Sequence, residues 1–163
     1  MAASSSALAA PGSRLFHAWQ RLAPLPGGTW LFSRLLGFLV PYTGSIRARV
    51  RALEAGYASV ELRDRRGIRN HLGSVHAIAL ANLGEVASGL ALLVGLPPAV
   101  RGILVGLSVE YVKKARGTLT AEGRAAIPPA VTEPADAEAT AVIRDPGGQV
   151  VARVAARWRL APA

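Results

Sequence analysis

The chain has no cysteine among its 163 residues, so disulfides and thiolate metal sites are excluded. This absence is typical of a reducing compartment, and we expect a cytoplasmic protein. The three histidines, His17, His71 and His76, lack the spacing of a zinc site, so no metal is expected. Acidic residues are also few: 10 stand against 19 Lys and Arg, a net charge of +9. That excess favours an anionic partner, which could be nucleic acid, acidic lipid or a phosphorylated ligand.

Long uninterrupted apolar runs are missing as well. The apolar stretch 30–42 carries Arg34, and the stretch 74–107 is split by Pro97-Pro98. A spanning helix needs about 20 apolar residues with few charges, so no membrane span is expected. The Ala/Ser-rich residues 1–13 make a poor signal peptide and predict a flexible tail. With 51% hydrophobic residues, the chain can form one domain with a real core.

Hydrophobic periodicity divides the chain into helices and strands. Helical spacing predicts helices over 14–23 and about 29–40, which make up an N-terminal helical segment, 14–42. From Ser45 the period is two, and a turn at Glu54-Ala55-Gly56 predicts a β-hairpin. A long helix follows, and then four strands are predicted at 101–112, 117–127, 136–144 and 149–160. The first two are predicted to be joined at Ala115-Arg116-Gly117 and the last two by the turn Asp145-Pro146-Gly147-Gly148. One helix lying against a curved antiparallel sheet is an α+β arrangement, and it is predicted for residues 43–163.

One carboxylate stands alone in the long helix. Glu85 is the only charged residue from Ser74 to Leu96. A helix that is apolar on most of its circumference is buried, and a carboxylate there needs partners or its pKa rises. Such a group is a candidate general base or nucleophile. Alternatively, Glu85 is a structural carboxylate hydrogen-bonded across a dimer interface.

Three more polar positions lie at the start of this helix. Asn70 is in the preceding loop, and Ser74 is predicted to be the N-cap. The free N–H groups of the first turn, near His76 and Ala77, form an anion site that could hold a developing oxyanion. In the alternative interpretation, Asn70 only closes a turn and His76 is a cap or a packed side chain.

Helix geometry separates these groups. His76 and Glu85 are nine residues apart, so they point about 180° apart and lie about 13 Å apart along the axis. One helix cannot bring both to one reacting atom, but two antiparallel copies could. Asn82, Glu85, Ser88 and Gly89 share a face, and this small, polar stripe suits close helix-to-helix contact across a two-fold axis. The spacing therefore predicts a composite site in a dimer.

This pattern resembles the hotdog-fold thioesterases of the phenylacetic-acid-degradation type, in a branch known as a domain of unknown function. Their pattern is an Asn, six residues later a His-Gly-Gly, and nine residues after the His an Asp or Glu. Here the positions are Asn70, His76-Ala77-Ile78 and Glu85. The segment 109–125, VEYVKKARGTLTAEGRA, is also similar to the family's strand-turn-strand. The resemblance covers about 43–160.

The resemblance implies an acyl-CoA thioesterase that hydrolyses a thioester to a free acid and a thiol. Glu85 would activate water or attack the thioester carbonyl, and the N–H of Ala77 would polarise that carbonyl. Asn70 would orient the water or the acyl oxygen, and His76 would shape the loop. No cofactor is implied beyond the coenzyme A of the substrate, and the assembly would be a homodimer or a dimer of dimers.

The sequence departs from the family's pattern in two respects. Ala77-Ile78 replaces Gly-Gly, which keeps the N–H donors but adds bulk, and Leu104 falls where some relatives have Ser or Thr. A non-catalytic acyl-CoA-binding protein and a hotdog hydratase or dehydratase are the alternatives. The hydratases usually have a Pro-rich approach to the helix, which this sequence lacks.

Basic residues flank the helix in the sequence. The resemblance suggests that Lys113, Lys114, Arg116 and Arg69 bind the phosphates of coenzyme A. Alternatively, they belong to a solvated loop or to a nucleic-acid patch. Few aromatic residues lie among these basic residues, and the sequence has no nucleic-acid-binding motif, so no nucleic-acid partner is expected. The N-terminal helices would cap an acyl tunnel or extend the dimer contact.

Overall fold

A computed structural model describes residues 11–162 of the chain. Most of the predicted tail, residues 1–10, lies outside this range. The α+β class is confirmed, because helices come first and the sheet and one long central helix follow. The helices are α1 (Pro11–Leu22), α2 (Gly28–Leu39), α3 (Pro41–Ser45) and α4 (Ala77–Leu93). The strands are β1 (Arg49–Glu54), β2 (Tyr57–Leu62), β3 (Val100–Tyr111), β4 (Leu119–Ala125), β5 (Ala135–Arg144) and β6 (Val150–Pro162).

All six strands form one antiparallel sheet, in the order β1-β2-β4-β5-β6-β3. The hairpins β1–β2 and β5–β6 are those that the turn signals predict. The strands β3 and β4 are consecutive in the chain, but they do not pair. Instead, β4 lies between β2 and β5, and β3 pairs only with β6. Residues 112–118 therefore form a crossover rather than a hairpin turn.

The central helix α4 packs on the sheet with its backbone close to β4. A Cβ on Gly123 would lie 2.0 Å from the carbonyl oxygen of Ala87, so only glycine permits this contact. Around it, Leu83 and Ala87 of α4 are fully buried against Ala121 and Leu119 of β4. Twelve of the 17 helical residues are buried, which explains why the helix is apolar on nearly every side.

The N-terminal helices share this core. Trp19 of α1 meets Phe32 of α2 edge to face, with ring centroids 5.1 Å apart. The hydroxyl of Ser33 accepts a hydrogen bond from the backbone N–H of Val50 at 2.9 Å. Helix α2 thus lies along β1 and supplies an acceptor to the edge of the sheet. In the part of the chain that the structure describes, no helix is long and apolar enough to cross a membrane.

The other edge of the sheet is formed by β3, which is open along one side. Several of its apolar side chains point into solvent, with Ile103 66% exposed. Val105 and Leu107 are also largely exposed. A long apolar edge strand is normally covered by something else.

Candidate functional site

The start of α4 is capped by His76. Its Nδ1 accepts a hydrogen bond from the N–H of Ile78 at 3.1 Å, so the prediction of Ser74 as N-cap is wrong. The reason lies in the two residues that follow Ser74. The N–H of Val75 donates to the carbonyl of Ala115 and the N–H of His76 donates to the carbonyl of Ile68, at 2.9 and 2.8 Å. Both residues are held out of the helix, which therefore begins at Ala77.

The backbone of Ala77 presents a free donor. Its N–H has no acceptor in the range 11–162, whereas the next N–H is taken up by His76. The carbonyl of Ala77 accepts a hydrogen bond from the hydroxyl of Tyr111 at 3.1 Å. The sequence showed this tyrosine only as part of the family-like segment, and its contact fixes the end of β3 against the helix start. A free amide at the positive end of a helix is suited to a negatively charged or polarised oxygen.

Asn70 closes the loop that leads into the helix. Its Oδ1 accepts hydrogen bonds from the N–H of Leu72 at 3.0 Å and the N–H of Ser74 at 3.2 Å. The hydroxyl of Ser74 donates to the same oxygen at 3.2 Å. The side-chain oxygen of Asn70 therefore stabilises the turn, as the alternative interpretation predicted. Only the amide nitrogen of Asn70 is left to meet a ligand.

Glu85 lies halfway along α4 and is partly buried. Burial raises the pKa of its carboxyl group, because the charged form is desolvated. The carboxylate makes no hydrogen bond or ion pair with any described residue. A Cβ on Gly89 would lie 3.7 Å from Oε1 of Glu85 and 3.0 Å from Cζ2 of Trp158. The carboxylate and the indole ring therefore both lie close to Gly89.

Trp158 is a residue to which the sequence assigned no role. It is only 5% exposed, and its Nε1–H has no acceptor in the structure over residues 11–162. An unsatisfied buried donor costs about 1–3 kcal/mol, so this N–H is a candidate donor to a bound ligand. The register places Trp158 opposite Leu104, the position where some relatives have Ser or Thr. The signal that could have pointed to Trp158 is its place among the alternating apolar residues of the last strand, which predicts that its ring is buried.

The predicted polar stripe on α4 is not a free face. Nδ2 of Asn82 donates to the carbonyl of Tyr42 at 3.2 Å, and the hydroxyl of Ser88 donates to the carbonyl of Gly84 at 2.8 Å. Gly89 is covered by Trp158. The expectation that Asn82, Ser88 and Gly89 face a second helix is wrong, because the chain itself buries these three residues, partly through the unpredicted helix α3. Glu85, the fourth residue of the stripe, is only partly buried. The dimer stays a prediction.

Two of the four predicted phosphate-binding cations are already in ion pairs. Lys113 contacts Asp145 at 2.7 Å, and Arg69 contacts Asp64 at 2.7 Å. The hydrogen bond from each cation is the main reason why the pKa of its carboxylate partner is lowered. Lys114 is exposed and has no ion-pair partner in the described chain.

The crossover 112–118 lies against the loop before α4. The carbonyl of Ala115 accepts from Val75, and Nη2 of Arg116 reaches the carbonyl of Leu72 at 3.5 Å. The structure therefore gathers the predicted residues Arg69, Asn70, His76, Ala77 and Arg116 around the helix start. Glu85 remains about 13 Å along the axis, as its spacing from His76 predicted. One protomer does not bring the carboxylate to the free amide.

A family model supplies the identification. The domain of unknown function DUF4442 matches residues 28–160. The chain belongs to this family. No curated protein matches the chain. In the described part of the chain, no three His, Asp or Glu residues cluster in a way that could hold a metal ion.

Solved structures share the fold. A structural-genomics protein, APC5556, is 31% identical, with a TM-score of 0.78 over 93% of this chain and 99% of its own. Protein PA5026 of Pseudomonas aeruginosa, described as a probable thioesterase, is 24% identical, with a TM-score of 0.70 over 85% and 97%. A hypothetical thioesterase of Streptococcus pneumoniae TIGR4, solved with coenzyme A, is 16% identical, with a TM-score of 0.64 over 77% and 97%. The expected hotdog fold is confirmed, and this chain shares it with structures that are named as thioesterases.

Proposed function

We propose that this member of the DUF4442 family hydrolyses an acyl-CoA or another acyl thioester. The observation that carries the proposal is the partly buried carboxylate of Glu85, which has no partner among residues 11–162 and whose pKa is raised. Ion pairs and hydrogen bonds give most structural carboxylates a lowered pKa, so this group is suited to work on a bound molecule. The thioesterase-like fold of the neighbours supports the same reaction class.

In the proposed reaction, Glu85 takes a proton from water, and the water attacks the thioester carbonyl. The tetrahedral oxyanion then accepts a hydrogen bond from the free N–H of Ala77, and the thiol leaves with a proton. Direct attack by Glu85 would form an anhydride that water then hydrolyses. Asn70 would add its amide N–H. His76 would act indirectly, since its ring holds the N–H of Ile78.

The two halves of this site are expected to meet across a dimer. Glu85 is eight residues beyond Ala77 in the same helix, a rise of about 12 Å along the axis, so Glu85 would face the helix start of a second copy. The open strand β3 offers the surface for this, because its N–H and C=O groups are unpaired along one side. Antiparallel pairing of two β3 strands about a two-fold axis would continue the sheet.

The reaction is tested by replacing Glu85 with Gln. The volume of the side chain is kept, but the base is lost, so we expect hydrolysis of acyl-CoA to fall about 10²- to 10⁴-fold. The measurement is release of free thiol across a series of acyl-CoA chain lengths. The matched control is Glu138→Gln, which changes an exposed glutamate of β5 and should leave the rate unchanged.

Binding measured beside hydrolysis separates the alternatives. Equal coenzyme A affinity for wild type and Glu85→Gln, with no hydrolysis by either, would show a non-catalytic binder. Hydrolysis by Glu85→Gln at the wild-type rate would remove the residue from the mechanism.

A further inference from the structure

A cleft of about 1060 Å³ lies between α2, α3 and the hairpin β1–β2. It is separate from the crossover 112–118 that was expected to bind phosphates. Its walls carry six arginines and one carboxylate, Glu61. We call this surface the arginine cleft, and its arginines are Arg34, Arg47, Arg49, Arg51, Arg63 and Arg65.

The positive charge of the arginine cleft is not neutralised by the chain. Glu61 pairs with Arg51 at 2.7 Å. No ion-pair partner is found among residues 11–162 for Arg34, Arg47 or Arg63. Six guanidinium groups facing one carboxylate create a strong local potential, and an anion in the cleft would relieve their mutual repulsion.

Two features of the cleft have a cost in the free protein. Arg65 donates from Nη2 to the carbonyl of Ser45 at 2.9 Å, but its Nε–H is buried and has no acceptor in the described structure. Arg47 has a φ of +56°, in the left-handed region, where a non-glycine residue is held at a cost of about 1–2 kcal/mol. An unsatisfied donor and local strain are typical of binding sites.

Aromatic side chains complete the wall formed by α2. Trp30, Arg34 and Phe38 are spaced four residues apart, so they share one face of the helix, and all three line the cleft. Trp30 is 55% exposed and Phe38 is 81% exposed. Exposed aromatic rings provide stacking surfaces for a planar base, and arginines bind phosphate through paired N–H donors.

We propose that the arginine cleft binds a nucleotide that carries two or more phosphate groups. The aromatic row of α2 would contact the base, and the arginines opposite would contact the phosphates. A bounded cleft of this size suits a small molecule better than a nucleic-acid strand, which would need a longer basic track. This inference goes beyond the proposed hydrolysis, since the cleft would hold the nucleotide whether or not Glu85 acts on a thioester.

The test is calorimetric titration of the full chain with coenzyme A, ADP and inorganic phosphate. We expect coenzyme A or ADP to bind, with inorganic phosphate much weaker. The double variant Arg34→Ala/Arg63→Ala should raise the Kd at least about tenfold, because charge-assisted hydrogen bonds are lost. The control, Arg21→Ala/Arg144→Ala, changes two exposed arginines that do not line the cleft, and its Kd should stay within about twofold of wild type.

A second variant guards against loss of folding. Trp30→Ala removes an exposed side chain, so the fold should be kept. It should weaken the binding of coenzyme A and ADP and leave the binding of inorganic phosphate unchanged. Tighter binding of coenzyme A than of ADP would indicate that the cleft holds the nucleotide part of the acyl-CoA substrate. Equal binding would mark a separate nucleotide ligand, which also supports the proposal.

Three results would overturn it. These are binding of neither nucleotide, loss of affinity in a Lys114→Ala/Arg116→Ala variant of the crossover while both cleft variants keep theirs, and binding of single-stranded RNA alone. Failure of hydrolysis with nucleotide binding intact would count against the proposed function alone.

Discussion

At the scale of single residues, Glu85 differs from the other carboxylates whose pKa is shifted by their surroundings. Asp64 and Asp145 each accept a hydrogen bond from a cation, and the pKa of each is lowered. The pKa of Glu85 is raised, by burial alone. The sequence could single out Glu85, because no other charge occurs on its helix. It could not single out Trp158, whose unsatisfied N–H is a property of the packed structure.

The raised pKa of Glu85 predicts how its replacement changes stability with pH. A folded-state pKa above the unfolded value means that the folded chain holds the proton more tightly. The stabilisation is complete below the unfolded pKa of about 4.3 and is lost as the pH rises through the folded pKa. Glu85→Gln should therefore unfold at a higher urea concentration than wild type at pH 7, and the difference should shrink towards pH 4.

Urea denaturation at a series of pH values measures this, with Glu138→Gln as the exposed control. If Glu85→Gln is less stable than wild type at pH 7, the carboxylate has a stabilising partner instead of an unfavourable burial.

At the scale of helices and strands, periodicity could identify nearly every element but not every neighbour. The α4 pattern and the four later strands are confirmed to within about three residues. The helix α3 was not predicted, since five residues, Pro41–Ser45, are too few to show a period. The partners of β3 and β4 could not be predicted either. Alternation shows which face of a strand is buried, and pairing across a crossover depends on the whole sheet.

The contact between α4 and β4 predicts a severe effect of one methyl group. Gly123→Ala places a Cβ against the backbone of Ala87, which cannot move aside as a side chain can. We expect a loss of about 3 kcal/mol or more in the free energy of unfolding. Gly147→Ala is the matched control, because the atom nearest to its Cβ is a carboxylate oxygen of Asp145 at 3.3 Å.

Equal stability of these two alanine variants in urea would show that the helix can lift away from β4. A cooperative loss in Gly123→Ala alone would confirm that backbone contact sets the distance between helix and sheet.

At the scale of the whole molecule, the open strand β3 predicts a dimer that is needed for hydrolysis. Ile103→Lys adds a charge at a position that is 66% exposed in the protomer, so the protomer should stay folded. Pairing of two edges would bring two such charges close together, and we expect the variant to be monomeric. Light scattering after gel filtration gives the mass, and the thiol-release assay should show at least a tenfold loss, on the order expected when one catalytic group is removed.

Thr140→Lys is the control, since it adds the same charge to the exposed face of the inner strand β5. A monomeric Ile103→Lys variant with full activity would mean that each protomer carries a complete site.

The two edges of the sheet differ in one respect that limits how copies can polymerise. The hydroxyl of Ser33 accepts a hydrogen bond from the backbone N–H of Val50 in β1, and α2 packs beside that strand, whereas no strand among residues 11–162 pairs with the outer side of β3. When two copies join through β3, the unpaired edge of each copy becomes paired with that of the other, and a third copy cannot pair with the same edge. Because α2 lies beside the other edge strand, β1, growth into a fibre is disfavoured, and a four-chain assembly would form through other faces of the molecule.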